Sequence, residues 1–191
     1  LQADKAIASD DEDEKKDAEA ELALLTPIIK AFITDNAWLA TSHCMQVYGG
    51  HGYIHEWGME QFVRDSRINM IYEGTNTVQS LDLLGRKILS DNGKKLKAIG
   101  KKIAAFVEDE GVREDMQEFI NPLGDIGDKV TKLTTEIGMK AFGNPDEVGA
   151  AAVDYLRVVG HLTFAYFFAR MAQVALREIA TGNTDPYYTA K

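Results

Sequence analysis

The amino-acid sequence predicts an all-α fold, in which a helical bundle packs with a second helical extension. Three observations support this class. Apolar residues recur every three or four positions along most of the 191 residues, which is the period of an amphipathic helix. Prolines number only four, and no stretch alternates apolar and polar residues as a half-buried strand does. With 45% apolar and 27% charged residues, the chain has the composition of a globular protein with a sizeable core.

Negative charge is concentrated at the start of the chain. Residues 1–21 hold nine acidic residues and three lysines, so they contribute −6 to a formal net charge of −9. Runs of like charge such as Asp10–Glu14 are typically solvated, and we therefore expect residues 1–19 to form an acidic surface loop. The acidic balance argues against nucleic acid as a partner. The most apolar window, near residues 161–176, is too short and too charged for membrane insertion.

Apolar stripes and helix breakers place the elements of the first half. A long helix is expected over residues 18–47, and it should end at Gly49-Gly50 because glycine tolerates the left-handed conformation. Thr26-Pro27 allows two interpretations, a helix start or a kink inside a longer helix. A short helix follows over about residues 59–66, and another begins near Asn76, where Asn76 and Gln79 have the spacing of a capping box.

The second half continues with longer helices. They are expected over about residues 94–107, 113–142 and 145–180, the middle one interrupted near Asn121-Pro122. A short break at Ser90–Gly93 is the best domain boundary, which divides the helical part into a bundle over residues 20–91 and an extension over residues 92–191. Because this connection is short, the two parts should pack on each other.

Two polar, glycine-rich stretches are unusual for the core of a bundle. The first is Gln46-Val47-Tyr48-Gly49-Gly50-His51-Gly52-Tyr53. Glycines let backbone N–H groups approach a ligand, and successive N–H groups bind phosphate or pyrophosphate. A helix end followed by a tight turn explains the same glycines without any ligand. No lysine follows as in a P-loop, and no strand precedes as in a dinucleotide-binding fingerprint.

The second stretch is Ile71-Tyr72-Glu73-Gly74-Thr75-Asn76-Thr77-Val78-Gln79. Glu73 lies just before a helix start and beside a glycine that permits close approach of a substrate, so its carboxylate is a candidate general base. Burial against Tyr72 and Ile71 would raise its pKa, whereas the helix dipole would lower it. An acid at a helix start is also a common capping charge, so both interpretations stay open at this point.

The sequence offers few residues for a metal site or for thiol chemistry. His51 and His55 are four residues apart, but Gly52 between them indicates a loop and no third ligand is close in sequence, so we expect no metal site. The single cysteine, Cys44, excludes an intrachain disulfide. Because Cys44 lies on an apolar helix, we expect it to be buried.

Taken together, three blocks identify a family resemblance. Gln46-x-x-Gly49-Gly50-x-Gly52-Tyr53, then Val63-Arg64-Asp65-Ser66-Arg67-Ile68, then Ile71–Asn76 resemble, in order and spacing, the C-terminal catalytic region of the acyl-CoA dehydrogenases. The match runs from about residue 22 to residue 88. The continuation from Ser80, with about a hundred further helical residues, resembles the larger bacterial subgroup that carries an extra C-terminal helical domain.

The resemblance implies roles for particular residues. Glu73 matches the catalytic base, which removes the α-proton of an acyl-CoA thioester, and Gly74 matches the residue whose backbone lies against the substrate. Two segments match cofactor contacts. These FAD-binding residues are Gln46, Val47, Tyr48, Gly49 and Gly50, which match a diphosphate site of a neighbouring subunit, and Thr75, Asn76 and Thr77, which match a Thr-x-Gln segment. This chain has Thr77 where many members have Gln.

The resemblance also implies a setting for the chain. It would be a C-terminal fragment of an FAD-dependent acyl-CoA dehydrogenase, inactive by itself, because the family's N-terminal helical domain and middle β-domain have no counterpart in this sequence. The implied partners are an acyl-CoA substrate, further subunits of a homo-oligomer and an electron-transferring flavoprotein. With no secretory leader at the start of the chain, we expect a cytoplasmic location. The alternative is a non-catalytic helical assembly domain that retains the motif as ancestry.

Overall fold

The structure is a computed structural model and describes residues 2–190. No strand occurs among these residues, which confirms the all-α class. The α-helices run in the order α1 Gln2–Ala8, α2 Glu12–Val47, α3 Gly50–Tyr53, α4 Met59–Ile68, α5 Asn76–Leu81, α6 Lys94–Glu110, α7 Gln117–Gly143, α8 Asp146–Ala180 and α9 Pro186–Thr189. Helix α5 continues with wider, π-type hydrogen bonding over Asp82–Ile88, and short 3₁₀ turns occupy His55–Trp57, Leu89–Asp91 and Glu114–Met116.

The prediction of an acidic surface loop over residues 1–19 is wrong for residues 2–19, because α1 and the first two turns of α2 lie there. The carboxylate of Asp11 caps α2 by accepting hydrogen bonds from the N–H groups of Asp13 and Glu14, at 2.9 and 3.3 Å. The acids that follow lie in the first turn, where the helix dipole favours negative charge. The acidic run is therefore a helix start, although most of its side chains are exposed, as expected.

Helix α2 is longer than expected, with 36 residues, and Pro27 lies inside it. The second interpretation of Thr26-Pro27, a proline within a longer helix, is therefore the observed one. Within residues 2–190, α2 alone has the length and apolar composition to cross a membrane. This is weak evidence for a span, since a core helix passes the same test, and α2 packs Leu24, Ile28 and Phe32 into the core.

One hydrophobic core joins the two halves of the chain. The α2 residues Leu24, Ile28 and Phe32 pack with buried residues of α6, α7 and α8. The approach of α2 to α8 depends on Gly160, because a Cβ there would stand 2.3 Å from the ring of Phe32. The two parts on either side of residues 90–93 therefore pack on each other, as the short connection predicted. The division into domains at residues 91 and 92 stays a prediction.

Polar contacts fix the helices of the second half to one another. The hydroxyls of Tyr155 on α8 and Thr134 on α7 lie 2.7 Å apart, and burial raises the pKa of Tyr155 to about 12. Glu110, only 3% exposed, ends α6 and accepts hydrogen bonds from Gln173 and Arg177 of α8 and from Arg113. Between α6 and α7 a cleft of about 1450 Å³ remains open, with mainly apolar walls.

Candidate active site

The turn between α4 and α5 carries the second motif in an unusual backbone conformation. Glu73 has a φ of +53° and Gly74 a φ of +86°, so two successive residues are left-handed. Gly74 suits this conformation, whereas for glutamate it is strained. Thr75 then caps α5 by accepting a hydrogen bond from the N–H of Val78 at 3.4 Å. The expected cap at Asn76 is thus one residue too late.

Asn76 faces α2, and its polar groups bond within the chain. Its side-chain nitrogen donates to Asp35 Oδ1 at 2.7 Å, to Thr34 Oγ1 at 3.0 Å and to the carbonyl of Ala31 at 3.2 Å. Its backbone N–H donates to the carbonyl of Met70, and its backbone carbonyl accepts from the Ser80 hydroxyl. Asn76 therefore fastens the start of α5 to the middle of α2.

Lys30 of α2 reaches the same turn and was not anticipated from the sequence. Its Nζ donates to the carbonyl oxygen of Gly74 at 2.7 Å and to Oδ1 of Asn76 at 2.8 Å. Burial lowers the pKa of the Lys30 ammonium below its usual value, while the negative charges of Asp35 and Glu73 act in the opposite direction. The spacing of 44 residues between Lys30 and Gly74 follows no local period, so only the fold reveals the pair.

The carboxylate of Glu73 is exposed in this chain. Ile71 and Tyr72, expected to bury it, are each 48% exposed. Other large apolar side chains around the motif are similarly uncovered, among them Phe62, Ile68, Val78 and Leu81. Among residues 2–190, Glu73 therefore lies on a surface with several exposed apolar side chains.

The first motif lies at the end of α2 and is also on the surface. Val47 is 86% exposed, and the other residues of the stretch 46–50 are exposed as well. Gly49 adopts a φ of +60°, and a Cβ at Gly49 or Gly50 would meet no atom within 4 Å. Gly52 is different, because a Cβ there would stand 2.4 Å from the carbonyl oxygen of Met45. Gly52 thus serves the turn, whereas Gly49 and Gly50 leave a bare, accessible backbone.

The two motifs occupy different places along α2. Thr34 touches Asn76, and Val47 follows 13 residues later, which corresponds to about 20 Å along the helix axis. The structure therefore brings together Glu73, Gly74, Thr75, Asn76 and Thr77, and leaves residues 46–50 apart from them. A small cavity of about 290 Å³ adjoins the first group and is lined by Thr75, Asn76 and Thr77 together with Arg67 and Arg157.

The histidines and the cysteine singled out in the sequence form no catalytic or metal-binding arrangement among the described residues. His55 lies 3.1 Å from Glu60, and His51 makes an edge-on contact with Trp57. Among residues 2–190 no group of three or more histidine, cysteine or acidic side chains is arranged to hold a metal ion. Cys44 is exposed, so the expectation of burial was wrong; the last turns of α2 extend beyond the core that covers its middle.

Comparison with known proteins identifies the family to which this helical chain belongs. The family described as "Acyl-CoA dehydrogenase, C-terminal domain" matches residues 3–89. The family described as "Acetyl-CoA dehydrogenase C-terminal like" matches residues 99–191. The chain belongs to the acyl-CoA dehydrogenase family and corresponds to its C-terminal part, as the sequence motifs predicted.

Two individual relatives are similar over most of the chain, and a third over about half of it. A 3-methylmercaptopropionyl-CoA dehydrogenase of Ruegeria pomeroyi is 32% identical over 94% of this chain and 31% of its own length. A broad-specificity linear acyl-CoA dehydrogenase, FadE5, of Mycobacterium tuberculosis is 27% identical over 88% of this chain and 29% of its own length. A butyryl-CoA dehydrogenase of Syntrophomonas wolfei is 33% identical over 56% of this chain. The chain thus spans about a third of the length of the first two relatives.

Proposed function

We propose that this chain supplies the catalytic base of an FAD-dependent acyl-CoA dehydrogenase, and that Glu73 is that base. In the proposed reaction the α-proton of the acyl-CoA passes to the Glu73 carboxylate, and the β-hydrogen leaves with its electron pair. A double bond forms between the two carbons, which gives trans-2-enoyl-CoA. Bound FAD would supply the hydride acceptor. The relatives, all named as acyl-CoA dehydrogenases, support this reaction class.

The backbone of Glu73 is the observation that supports the proposal most strongly. A left-handed glutamate costs about 1–2 kcal/mol relative to an ordinary conformation. Glycine or asparagine would fill the position with less strain. Strain of this kind is characteristic of functional sites, where a particular side chain is needed in a particular place. Here the carboxylate stands on the exposed side of an anchored turn, beside the Gly74 backbone that we propose contacts the substrate.

The same observation disfavours a purely structural role. A capping charge does not require a left-handed backbone, and the cap of α5 is already provided by Thr75. A non-catalytic assembly domain would gain nothing from a strained glutamate. The exposed apolar side chains around the motif are compatible both with an active site that is completed by other groups and with an assembly surface. The choice between a catalytic and a non-catalytic role therefore depends on the strained backbone of Glu73.

Two places among the described residues support the proposed contacts with FAD. The open space at Gly49 and Gly50 lets a diphosphate approach the backbone without side-chain obstruction. Thr75 and Thr77 line the cavity near the turn and offer hydroxyls to a polar ligand. Because about 20 Å of helix separates the two regions, we propose that residues 46–50 serve the FAD of a neighbouring subunit, which requires a homo-oligomer. Asn76 stays a prediction as a cofactor contact, with its polar groups engaged inside the chain.

The proposal extends to partners and location. We propose acyl-CoA as the substrate, an electron-transferring flavoprotein as the electron acceptor and the cytoplasm as the location. The residues that select the acyl chain length would lie mainly on polypeptide outside this chain, since Glu73 is uncovered here.

Replacement of Glu73 tests the proposal. In the complete enzyme, Glu73→Gln keeps the shape of the side chain and removes the base, so flavin reduction by acyl-CoA should fall by at least about 10³-fold, the order expected when proton abstraction by a positioned base is lost. FAD content should stay unchanged. Rapid-mixing absorbance of the flavin band measures the rate, with the exposed Glu56→Gln as the matched control. Bleaching at the normal rate in the Glu73→Gln enzyme would refute the assignment.

The isolated chain offers a second test. Because Glu73 and residues 46–50 are exposed, we expect the 191-residue chain alone to bind FAD weakly and to lack activity. Titration with FAD, followed by flavin fluorescence and by ultrafiltration, measures binding. A stoichiometric yellow complex of this chain alone would contradict that expectation.

A further inference from the structure

The left-handed turn at Glu73 needs an anchor, because a strained backbone persists only where its surroundings determine it. The hydrogen bonds of the turn identify the candidates. Gln79 Nε2 lies 3.5 Å from the carbonyl oxygens of Glu73 and Gly74, the limit of a hydrogen bond. Lys30 Nζ lies 2.7 Å from the Gly74 carbonyl oxygen. Lys30 therefore makes the short contact with the residue that directly follows Glu73.

Lys30 contacts the turn at two residues, Gly74 and Asn76. Its ammonium group bridges the Gly74 carbonyl and the Asn76 side chain, so it joins the left-handed pair to the first turn of α5. Hydrogen bonds from a charged donor are shorter and about twice as strong as neutral ones. The bridge starts from the middle of α2, where Ala31 and Phe32 are buried, so the turn is tied to a rigid part of the core.

The two oxygens that converge on this position match a side chain that carries several donors. Asn76 presents its side-chain oxygen to Lys30 because its nitrogen is engaged by Asp35 and Thr34. Gly74 likewise offers Lys30 an acceptor, its backbone carbonyl oxygen. Lysine supplies three donors and no acceptor, which matches two converging oxygens. With an apolar side chain in its place, the oxygens would keep only the longer contacts from the Thr34 hydroxyl at 3.3 Å and from Gln79 at 3.5 Å.

We infer that Lys30 is a positioning residue for Glu73: by bridging the Gly74 carbonyl and Asn76 it keeps the Glu73 backbone left-handed and so aims the carboxylate. This inference rests on the proposed role of Glu73 as the base. Lys30 itself does not take the proton in the proposed step. Its contribution acts through the geometry of residues 73–76.

The test uses the complete enzyme with Lys30→Met, which keeps the length of the side chain and removes its charge and donors. We expect kcat to fall by about 100-fold, the order of loss expected for a catalytic group misplaced by about 1 Å. KM for the acyl-CoA should change by less than about tenfold, since the Gly74 backbone also lies in the proposed substrate contact, so the loss falls mainly on kcat. Lys30→Arg, which retains a charged donor, should recover at least about a tenth of the wild-type kcat, in line with the strength of charge-assisted bonds.

A second measurement is independent of activity. Hydrogen exchange, read by mass spectrometry in the absence of acyl-CoA, should become at least about tenfold faster for the amides of residues 71–79 in Lys30→Met, because the anchor of a local structural unit is lost. The matched control is Lys16→Met, an exposed lysine of the same helix that lies about 21 Å earlier along its axis. Lys30→Gln, whose side chain is too short to bridge both oxygens, replaces Lys30→Met if that variant does not fold, with the same expectation.

The outcomes separate this inference from the proposed function. Wild-type kcat or unchanged exchange over residues 71–79 in Lys30→Met would overturn the role of Lys30, whatever Glu73 does. Normal flavin reduction in Glu73→Gln would instead remove the proposed base. Slow turnover and faster local exchange in Lys30→Met, with normal behaviour of Lys16→Met and partial recovery in Lys30→Arg, would establish the positioning role.

Discussion

At the scale of single residues, Glu73 combines strain and exposure. A polar side chain in a left-handed conformation and in contact with solvent contributes little to folding. The neighbouring groups nevertheless maintain this conformation through the carbonyl of Gly74 and through Asn76. The arrangement is expected where the position of the carboxylate matters more than the stability of the turn.

A stability measurement tests this interpretation. Glu73→Gly should raise the free energy of unfolding by about 0.5–1 kcal/mol, because glycine adopts a φ of this sign without a Cβ clash and its greater freedom when unfolded offsets only part of the gain. The same variant should lack dehydrogenase activity in the complete enzyme. Chemical denaturation followed by circular dichroism measures the change. Glu108→Gly, within ordinary α-helix, is the matched control and should lose about 1 kcal/mol. Destabilisation in Glu73→Gly would show that the turn is not strained.

At the scale of elements, the start of α2 shows how charge patterning can be misread. Asp10–Glu14 has the composition of a solvated loop, yet Asp11 caps the helix and the following acids lie in its first turn. The apolar period of α2 begins only after this run, so periodicity alone placed the helix start too late.

The cap at Asp11 gives a direct test of that correction. Asp11→Ala removes the acceptor of two backbone N–H groups and should lower the free energy of unfolding by about 1 kcal/mol. Asp10→Ala, one residue earlier and outside the cap, is the control and should change it by less than about 0.5 kcal/mol. Thermal unfolding followed at 222 nm measures both variants. Equal stabilities of Asp11→Ala and the wild-type chain would favour the loop interpretation.

What the sequence predicts depends on whether a feature is local. The apolar stripes and breakers place the helices of the second half to within a few residues, and the glycine block at Gly49 marks the end of α2. The expected interruption near Asn121-Pro122 is wrong, because α7 continues through Pro122. The Lys30–Gly74 bridge joins residues 44 apart and leaves no local pattern. The exposure of Cys44 was equally hidden, because a helical stripe does not say how far along the helix its neighbours reach. Glu73 was found from the sequence, whereas its backbone strain and its anchor required the structure.

At the scale of the whole molecule, one continuous core unites the bundle and the extension, and polar clusters fix the extension at its far end. Glu110 is the main example, since it links α6, α8 and Arg113. Burial raises the pKa of Glu110, but the hydrogen bonds from Gln173 and Arg113 and the charges of Arg177 and Arg113 outweigh it, so the pKa lies below its usual value.

The lowered pKa of Glu110 predicts the direction in which the free energy of unfolding changes with pH. A carboxyl group whose pKa is lower in the folded state adds stability above its unfolded pKa, and this stability is lost as the pH falls through the folded value. Glu110→Gln should therefore lower the free energy of unfolding at pH 7 by about 1–3 kcal/mol. The difference from the wild-type chain should shrink below about pH 4.5, the usual range for glutamate. Urea unfolding at several pH values measures it, with the exposed Glu108→Gln as control. A difference that did not depend on pH would contradict the ionic role.

The placement of the Glu73 carboxylate against a bound substrate tests the central claim most directly. A crystal structure of the complete enzyme with FAD and an acyl-CoA should place a Glu73 carboxylate oxygen within about 3.5 Å of the α-carbon of the thioester, the distance required for reaction. It should also show the left-handed backbone and the Lys30 bridge retained. A Glu73 carboxylate remote from the α-carbon, with another carboxylate in its place, would contradict the account.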